Sequence, residues 1–186
     1  MKFPQTMLCI IWCLAIHQVK AQTPSLSTLT AGIYYENSLP SLKSSLDSET
    51  HETLFSAFKA ADLEDILGMK GPFTVFAPNN TAFETFTSEE LTQLFKEENK
   101  KKLKALLTYH IVAGRLTASK ILKALCRGKG KASFTSVQGT KITATISGSD
   151  IILSDLQGRE ARITSADATQ SNGVIHEIDA VIQPGL

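Results

Sequence analysis

Residues 71–83 read GPFTVFAPNNTAF, a short apolar run bracketed by two prolines and followed by a polar turn. Because proline cannot donate to a sheet ladder, Pro72 and Pro78 mark the ends of the run, which predicts one short β-strand. The segment before it, from Glu49, repeats apolar residues at helical spacing, and Gly68 is a natural helix stop. This part of the chain therefore predicts a helix that leads into a strand.

Helical patterns return after this strand. Residues 87–90 read Thr-Ser-Glu-Glu, a capping box in which the threonine hydroxyl and the glutamate carboxylate satisfy backbone amides at a helix start. Apolar residues at spacings of three and four mark this helix and a second one in the lysine-rich stretch that follows. A third, shorter helix is predicted from about Thr117 to Leu125.

The chain beyond Gly128 has a different pattern. Runs of β-branched residues alternate with glycine-containing turns, which predicts an antiparallel meander of strands. A last strand is expected over residues 173–182 and ends at Pro184. Since helices concentrate in the first half and strands in the second, the fold class is α+β rather than an alternating parallel fold.

The first 21 residues have the features of a signal peptide. A lysine follows Met1, residues 7–16 form an apolar run, and small residues precede the expected cleavage site after Ala21. The run is short for a transmembrane helix, which needs about 20 residues; an uncleaved anchor is the alternative. We expect a secreted, periplasmic or cell-surface protein without a stable transmembrane segment.

Composition bears on the number of domains, on the class of partner and on the chemistry of the cysteine. Residues 22–46 form a Ser/Thr-rich leader, and residues 47–186 are expected to form one domain. The 19 Lys and Arg residues are balanced by 18 Asp and Glu residues, so net charge gives no reason to expect nucleic acid as a partner. Cleavage would leave Cys126 as the one cysteine, either as a buried inert thiol or, if exposed, as a thiolate favoured by nearby cations.

Three segments resemble the signature of the fasciclin (FAS1, beta-Ig-h3) domain family: residues 71–83, residues 107–112 with the sequence LTYHIV, and residues 172–182 with the sequence NGVIHEIDAVI. They occur in the family's order and spacing, and the match extends from about His51 to Pro184. The resemblance implies a β-wedge or sandwich flanked by helices. It also implies adhesion through a cell-surface or matrix protein, with no enzyme activity and no cofactor.

The resemblance also nominates contact residues. In some animal members the Tyr-His region and Asp-Ile dipeptides contact integrins, and here the matching residues are Tyr109, His110, Asp65 and Ile66. At the third segment Asp179 is followed by alanine, so the dipeptide is missing there.

Periodicity predicts which way these side chains point. His110 falls on the apolar helix face of Leu103, Leu106 and Leu107, so it is expected to face inward as a structural residue; direct contact with a partner is the alternative. A buried imidazole needs hydrogen-bond partners, and the resemblance suggests Asn80. Tyr109 is expected to face solvent and to contact a partner.

His176 should lie in the core, because it alternates with apolar residues along the last strand.

Two further interpretations concern glycans. Basic residues on two predicted helices could hold an anionic polysaccharide as an alternative partner: Lys101, Lys102, Lys104, Lys123 and Arg127. Asn79 begins an Asn-Asn-Thr sequon, which matters in a host that glycosylates. No motif for a nucleophile elbow, zinc helix or phosphate loop is present, so no enzyme is expected.

Overall fold

A computed structural model describes residues 39–185. The predicted signal peptide and residues 22–38 of the predicted leader lie outside the described residues. Within the described range the α-helices are α1 (Leu42–Leu46), α2 (Glu52–Ala60), α3 (Glu64–Gly68), α4 (Ser88–Leu94), α5 (Lys100–Tyr109) and α6 (Ala118–Arg127). Short 3-10 helices occupy Glu49–His51, Asn80–Thr85 and Glu97–Asn99. The strands are β1 (Phe73–Pro78), β2 (Ile111–Ala113), β3 (Lys131–Thr135), β4 (Lys141–Ser147), β5 (Asp150–Ser154), β6 (Glu160–Gln170) and β7 (Gly173–Ile178).

The strands form one sheet in the order β2-β1-β7-β6-β5-β4-β3. Every neighbouring pair is antiparallel except β1 and β7, which run parallel. The two ends of the sheet meet, because Val112 of β2 bridges to Ser136 just beyond β3. The N–H of Val137 also donates to the carbonyl of Ile111 at 2.7 Å. The sheet therefore curls into a barrel-like wedge, and the predicted α+β class is confirmed.

Two apolar clusters lie on opposite faces of the β1–β7 pair. The helix-side cluster joins α1, α2 and α5 to the side chains of Val75 and Ala77 on β1. The β-side cluster lies within the curled sheet and includes Phe76 of β1 together with residues of α6. Alternation along β1 produces this division, because successive side chains of a strand point to opposite faces. The β1–β7 pair is thus buried on both sides.

Gly173 shows how closely the strands approach. A Cβ placed on Gly173 would overlap the carbonyl oxygen of Phe73 and would lie 2.8 Å from Cδ1 of Leu42. Phe73 is the register partner of Gly173 across the parallel pair. Only glycine fits there, so the start of the third signature segment is shaped by the first.

The predicted leader overlaps the folded region, so its boundary at residue 46 is wrong. Leu42 and Leu46 are buried in the helix-side cluster. The side-chain oxygen of Ser41 caps α1, and the N–H of Leu42 donates to Oδ1 of Asn172 at 2.9 Å. The Ser/Thr-rich composition of this stretch concealed an apolar pair at helical spacing.

Candidate recognition surface and the buried signature residues

The three signature segments meet in the sheet. β1 carries the first segment, β2 follows the Tyr-His pair, and β7 carries the third. β1 lies between the other two strands, with Thr74 opposite Val112 of β2 on one side and Val174 of β7 on the other. The segments thus form adjacent strands of one sheet.

His176 is fully buried, as the alternation along β7 predicts. Its Nε2–H donates to the carbonyl of Leu116 at 2.6 Å, and its Nδ1 accepts the N–H of Asp167 at 3.3 Å. Both ring nitrogens are therefore satisfied in the neutral form, and burial lowers the pKa of His176. The ring also stacks on Phe76, with centroids 5.7 Å apart.

His110 is also buried, as the helix face predicts, but its ring nitrogens are hydrogen-bonded differently. Its Nδ1–H donates to the carbonyl of Leu106 in its own helix at 2.8 Å, and its Nε2 has no hydrogen-bond partner within the described residues. Burial lowers the pKa of His110 to about 4, so the ring is neutral at physiological pH.

The expected bond between His110 and Asn80 is wrong. Oδ1 of Asn80 accepts the N–H of Thr53 at 3.1 Å, and its Nδ2 donates to the carbonyl of Glu49 at 2.7 Å. Asn80 therefore fixes the start of α2. His110 bonds one turn back in its own helix because that carbonyl is already within reach.

The expectation that Tyr109 faces solvent and contacts a partner is wrong, because its side chain is fully buried. Its hydroxyl donates to the carbonyl of Lys141 at 3.0 Å. Burial, with the negative charge of Asp155 as a second cause, raises the pKa of Tyr109 to about 12. The reason lies in the end of α5, where the leucines pack into the helix-side cluster and Tyr109 packs into the β-side cluster.

Asp65 and Ile66 lie on α3, at the exterior of the molecule. Asp65 is exposed, and Ile66 is half-buried against the helix-side cluster. Of the residues nominated by the resemblance to integrin-binding members, Asp65 is the one that solvent reaches freely.

The two predicted basic rows lie on separate helices. Lys101 and Lys102 are exposed on α5, Lys104 is half-buried there, and Lys123 and Arg127 are exposed on α6. Because α5 packs into the helix-side cluster and α6 into the β-side cluster, the helices cover opposite faces of the β1–β7 pair. The rows therefore do not form one continuous basic surface.

Asn79, the predicted glycosylation site, is half-buried and hydrogen-bonded. Its Oδ1 accepts the N–H of Ala82 at 2.9 Å and the hydroxyl of Thr81 at 2.8 Å, so it caps the 3-10 helix. Its Nδ2, the atom that would carry a glycan, donates to Oε1 of Glu177 at 3.0 Å. Attachment at this nitrogen would replace one of its two N–H groups and place the glycan beside Glu177.

Cys126 is exposed, so of the two interpretations of this thiol the buried one is wrong. On α6 the buried positions are Ile121 and Leu125, and Cys126 falls just beyond that face.

Asp155 is an important residue that the sequence did not single out. Its carboxylate is buried, and it accepts the backbone N–H groups of Gln157, Arg159 and Gln183. Oδ2 also accepts Nε–H of Arg159 at 2.7 Å. Burial by itself would raise the pKa of Asp155, but together these hydrogen bonds outweigh it and lower the pKa. An aspartate that opens a turn ending at Gly158 was the available signal, since such residues often bond to the backbone of their own turn.

The fasciclin domain model matches residues 49–184. The chain belongs to the fasciclin domain family. The predicted resemblance is therefore confirmed, and it includes the buried Tyr-His pair and the strand that carries His176.

Similar proteins come from bacteria and animals. Protein sll1483 of Synechocystis is 33% identical over 92% of this chain and 88% of its own length. Human periostin is 31% identical over 71% of this chain, which spans 14% of periostin. The FAS1 domain pair of the insect cell adhesion molecule Fasciclin I has the same fold, with a TM-score of 0.66 at 16% identity over 76% of this chain and 50% of that one.

Two properties of the described residues bear on function. Between residues 39 and 185 no helix has the length and hydrophobicity needed to cross a bilayer. In the same range no three His, Cys, Asp or Glu side chains are grouped so that they could hold a metal ion.

Proposed function

We propose that this fasciclin-domain chain is exported and binds a protein partner at the cell surface or in the extracellular matrix, without catalysing a reaction. One observation carries the proposal: Tyr109, His110 and His176 all direct polar atoms at the protein's own backbone. These signature residues hold the framework together, so recognition falls to the exterior.

The same burial argues against acid–base catalysis by these residues. A general base must lie within hydrogen-bond reach of its substrate and have a pKa near the working pH. His110 is 1% exposed and His176 is 0% exposed, and burial lowers the pKa of both. Neither ring can meet a substrate without opening the core.

The proposed contact is the α3 corner around Asp65. This carboxylate is exposed, and Ile66 beside it keeps part of its surface accessible while it anchors α3 to the helix-side cluster. An exposed charge next to a partly exposed apolar side chain suits a protein–protein contact better than a bare charged surface does.

Binding to immobilised protein tests this contact. Cells or matrix of the producing organism should be retained by the unmodified protein, and Asp65→Ala should reduce retention several-fold while leaving the melting temperature unchanged. Glu98→Ala is the matched control, because Glu98 is also an exposed carboxylate but lies outside α3. Equal loss in both variants, or no retention by the unmodified protein, contradicts the proposal.

Charge reversal separates a protein partner from an anionic polysaccharide. Lys101→Glu combined with Lys123→Glu should leave retention intact if α3 makes the contact. Loss of retention in that double variant would instead favour the polysaccharide.

Export has its own test. The protein recovered outside the cytoplasmic membrane should begin at Gln22 by mass spectrometry, and an intact chain held in the cytoplasm would contradict the proposal.

A further inference from the structure

Helix α4 is packed unlike the other α-helices of the described chain. None of its residues is buried, although it carries Leu91 and Leu94. Leu94 and Phe86, just before the helix, remain half-buried against the helix-side cluster. Apolar side chains that are only partly covered leave surface that a ligand can remove from water.

A partly enclosed cavity of about 120 Å³ lies between α4, α5 and the C-terminal segment. Its lining consists of Phe86, Leu94, Lys102, Leu106, Gln183 and Pro184. Four of these residues are apolar. A wider depression of about 450 Å³ shares Phe86, Leu94, Lys102 and Gln183 with the cavity and adds Glu89, Glu90 and Arg159 at its margin. The cavity thus has an apolar floor and an open polar approach.

Hydrogen bonds fix the walls of this cavity before any ligand arrives. The buried carboxylate of Asp155 accepts the N–H of Gln183 at 3.0 Å and Nε–H of Arg159 at 2.7 Å, which anchors the C-terminal wall. At the margin of the wider depression, the capping box at the start of α4 joins Thr87 to Glu90, with the N–H of Thr87 donating to Oε2 of Glu90 at 2.8 Å. A site that is already shaped loses less entropy on binding.

The charge of the inner cavity selects the class of ligand, because Glu89, Glu90 and Arg159 line only the wider depression. Within the described part of the chain, Lys102 is the one charged residue that lines the inner cavity, and it is exposed. No carboxylate among residues 39–185 forms an ion pair with it. Gln183 adds an amide, which can donate two hydrogen bonds. A cation and an amide above an apolar floor match an anionic head on an apolar tail.

We propose that this cavity binds a small amphiphilic carboxylate, such as a medium-chain fatty acid. The tail contacts Phe86, Leu94 and Leu106, and the carboxylate accepts charge-assisted hydrogen bonds from Lys102 and hydrogen bonds from Gln183. The site is separate from α3 and does not depend on the proposed protein contact. Loss of one activity therefore leaves the other measurable.

Titration of the purified protein with octanoate, followed by two-dimensional NMR, tests the proposal. Saturable shifts should centre on Phe86, Leu94, Lys102 and Gln183, with a Kd below about 1 mM. Octanol should bind more weakly, and octylammonium weakest, because Lys102 repels a cation. Shifts that do not saturate, or equal binding of octylammonium and octanoate, overturn the proposal.

Variants of two neighbouring lysines test the head-group contact. Lys102→Gln should weaken octanoate binding about tenfold and leave octanol binding unchanged. Lys101→Gln is the matched control, since Lys101 is exposed on the same helix but does not line the cavity. An equal effect of the two substitutions contradicts the assignment.

Filling the apolar floor of the cavity with a larger side chain tests the contact with the tail of the ligand. Leu94→Trp should abolish binding of both octanoate and octanol, whereas Leu91→Trp, in the same helix but outside the cavity lining, should not. Undiminished octanoate binding to a folded Leu94→Trp protein overturns the proposal.

Discussion

His110 and His176 are buried to the same degree but serve different purposes. His176 uses both ring nitrogens to join other segments of the chain, bonding to Leu116, 60 residues away, on one side and to Asp167 on the neighbouring strand on the other. His110 uses one nitrogen, and its partner lies four residues earlier in the same helix. Burial alone therefore does not identify the more important histidine; the partners do.

The difference extends to the backbone around each ring. Asp167 has a left-handed conformation with φ of 64°, which is uncommon for a residue other than glycine. The N–H of this residue is held by His176, and its Oδ1 accepts the N–H of Ala118 at 2.8 Å. His176 thus supports the irregular part of β6 and the approach to α6, whereas His110 fills a site in the core.

Alanine substitution of each histidine should give the largest difference in the free energy of unfolding. His176→Ala should lower the free energy of unfolding by about 4 kcal/mol, because it leaves a cavity and two unpaired backbone groups. His110→Ala should lower it by about 2 kcal/mol, since it loses packing and one bond within a helix. Urea denaturation measures both. Equal losses would remove the distinction between a bridging ring and a packed one.

Acidification should destabilise the protein over a defined range. Burial lowers the pKa of His110 to about 4 in the folded protein, from 6.5 for a histidine that is not buried. The unfolded state therefore binds more protons between these two pH values. The contribution of His110 to the free energy of unfolding is therefore fully present above about pH 6.5. It falls by roughly 3 kcal/mol as the pH drops towards 4. His51 and His176 act in the same direction, because burial lowers the pKa of each.

Denaturation at a series of pH values measures this loss. His110→Met should reduce the slope of the curve between pH 6.5 and 4, leaving the part due to His51 and His176, while Lys101→Gln should leave the curve unchanged. A His110→Met protein with the original pH dependence would contradict a lowered pKa at this site.

The sequence predicted local order better than long-range partners. The capping box at Thr87 and the buried face of Leu103, Leu106 and Leu107 follow from spacing alone, and both are confirmed. Tyr109 was misplaced, because periodicity assigns one buried face to a helix and cannot show that a second cluster covers the helix end. Asn80 was misassigned, because its partners depend on how α2 approaches the first signature segment.

The second half of the sheet shows the same limit. β6 extends through residues 164–169, which are exposed and small or polar, so no apolar alternation marks them. Pairing with β7 makes this stretch a strand, and two register irregularities accompany it. Asp155 was missed because a turn aspartate gives no sign in the sequence that the C-terminal segment will fold back onto it.

Tyr109→Phe should have a smaller effect than either histidine substitution. It removes the bond to the carbonyl of Lys141 but keeps the ring, so the expected loss is about 1 kcal/mol. Retention of cells should not change when the variant is compared at full folding. Lost retention with unchanged stability would instead make Tyr109 a contact residue.

A substitution in helix α4 should have the smallest effect on the free energy of unfolding. Leu91 is half-buried at the surface, so Leu91→Ala should cost about 0.5 kcal/mol. Thermal unfolding measures the change, with the unmodified protein as reference. A loss as large as that of His110→Ala would show that α4 is part of the main core.

The most direct measurement is the NMR titration of the ring nitrogens in ¹⁵N-histidine-labelled protein. If the signature residues form the internal framework, His110 should appear as the Nδ1–H tautomer and should take up no proton between pH 8 and 6. His176 should appear as the Nε2–H tautomer, and its midpoint should lie below that of an exposed histidine. A midpoint near 6.5 for either ring, with both nitrogens exchanging freely with solvent, would place that histidine at the surface and contradict the account.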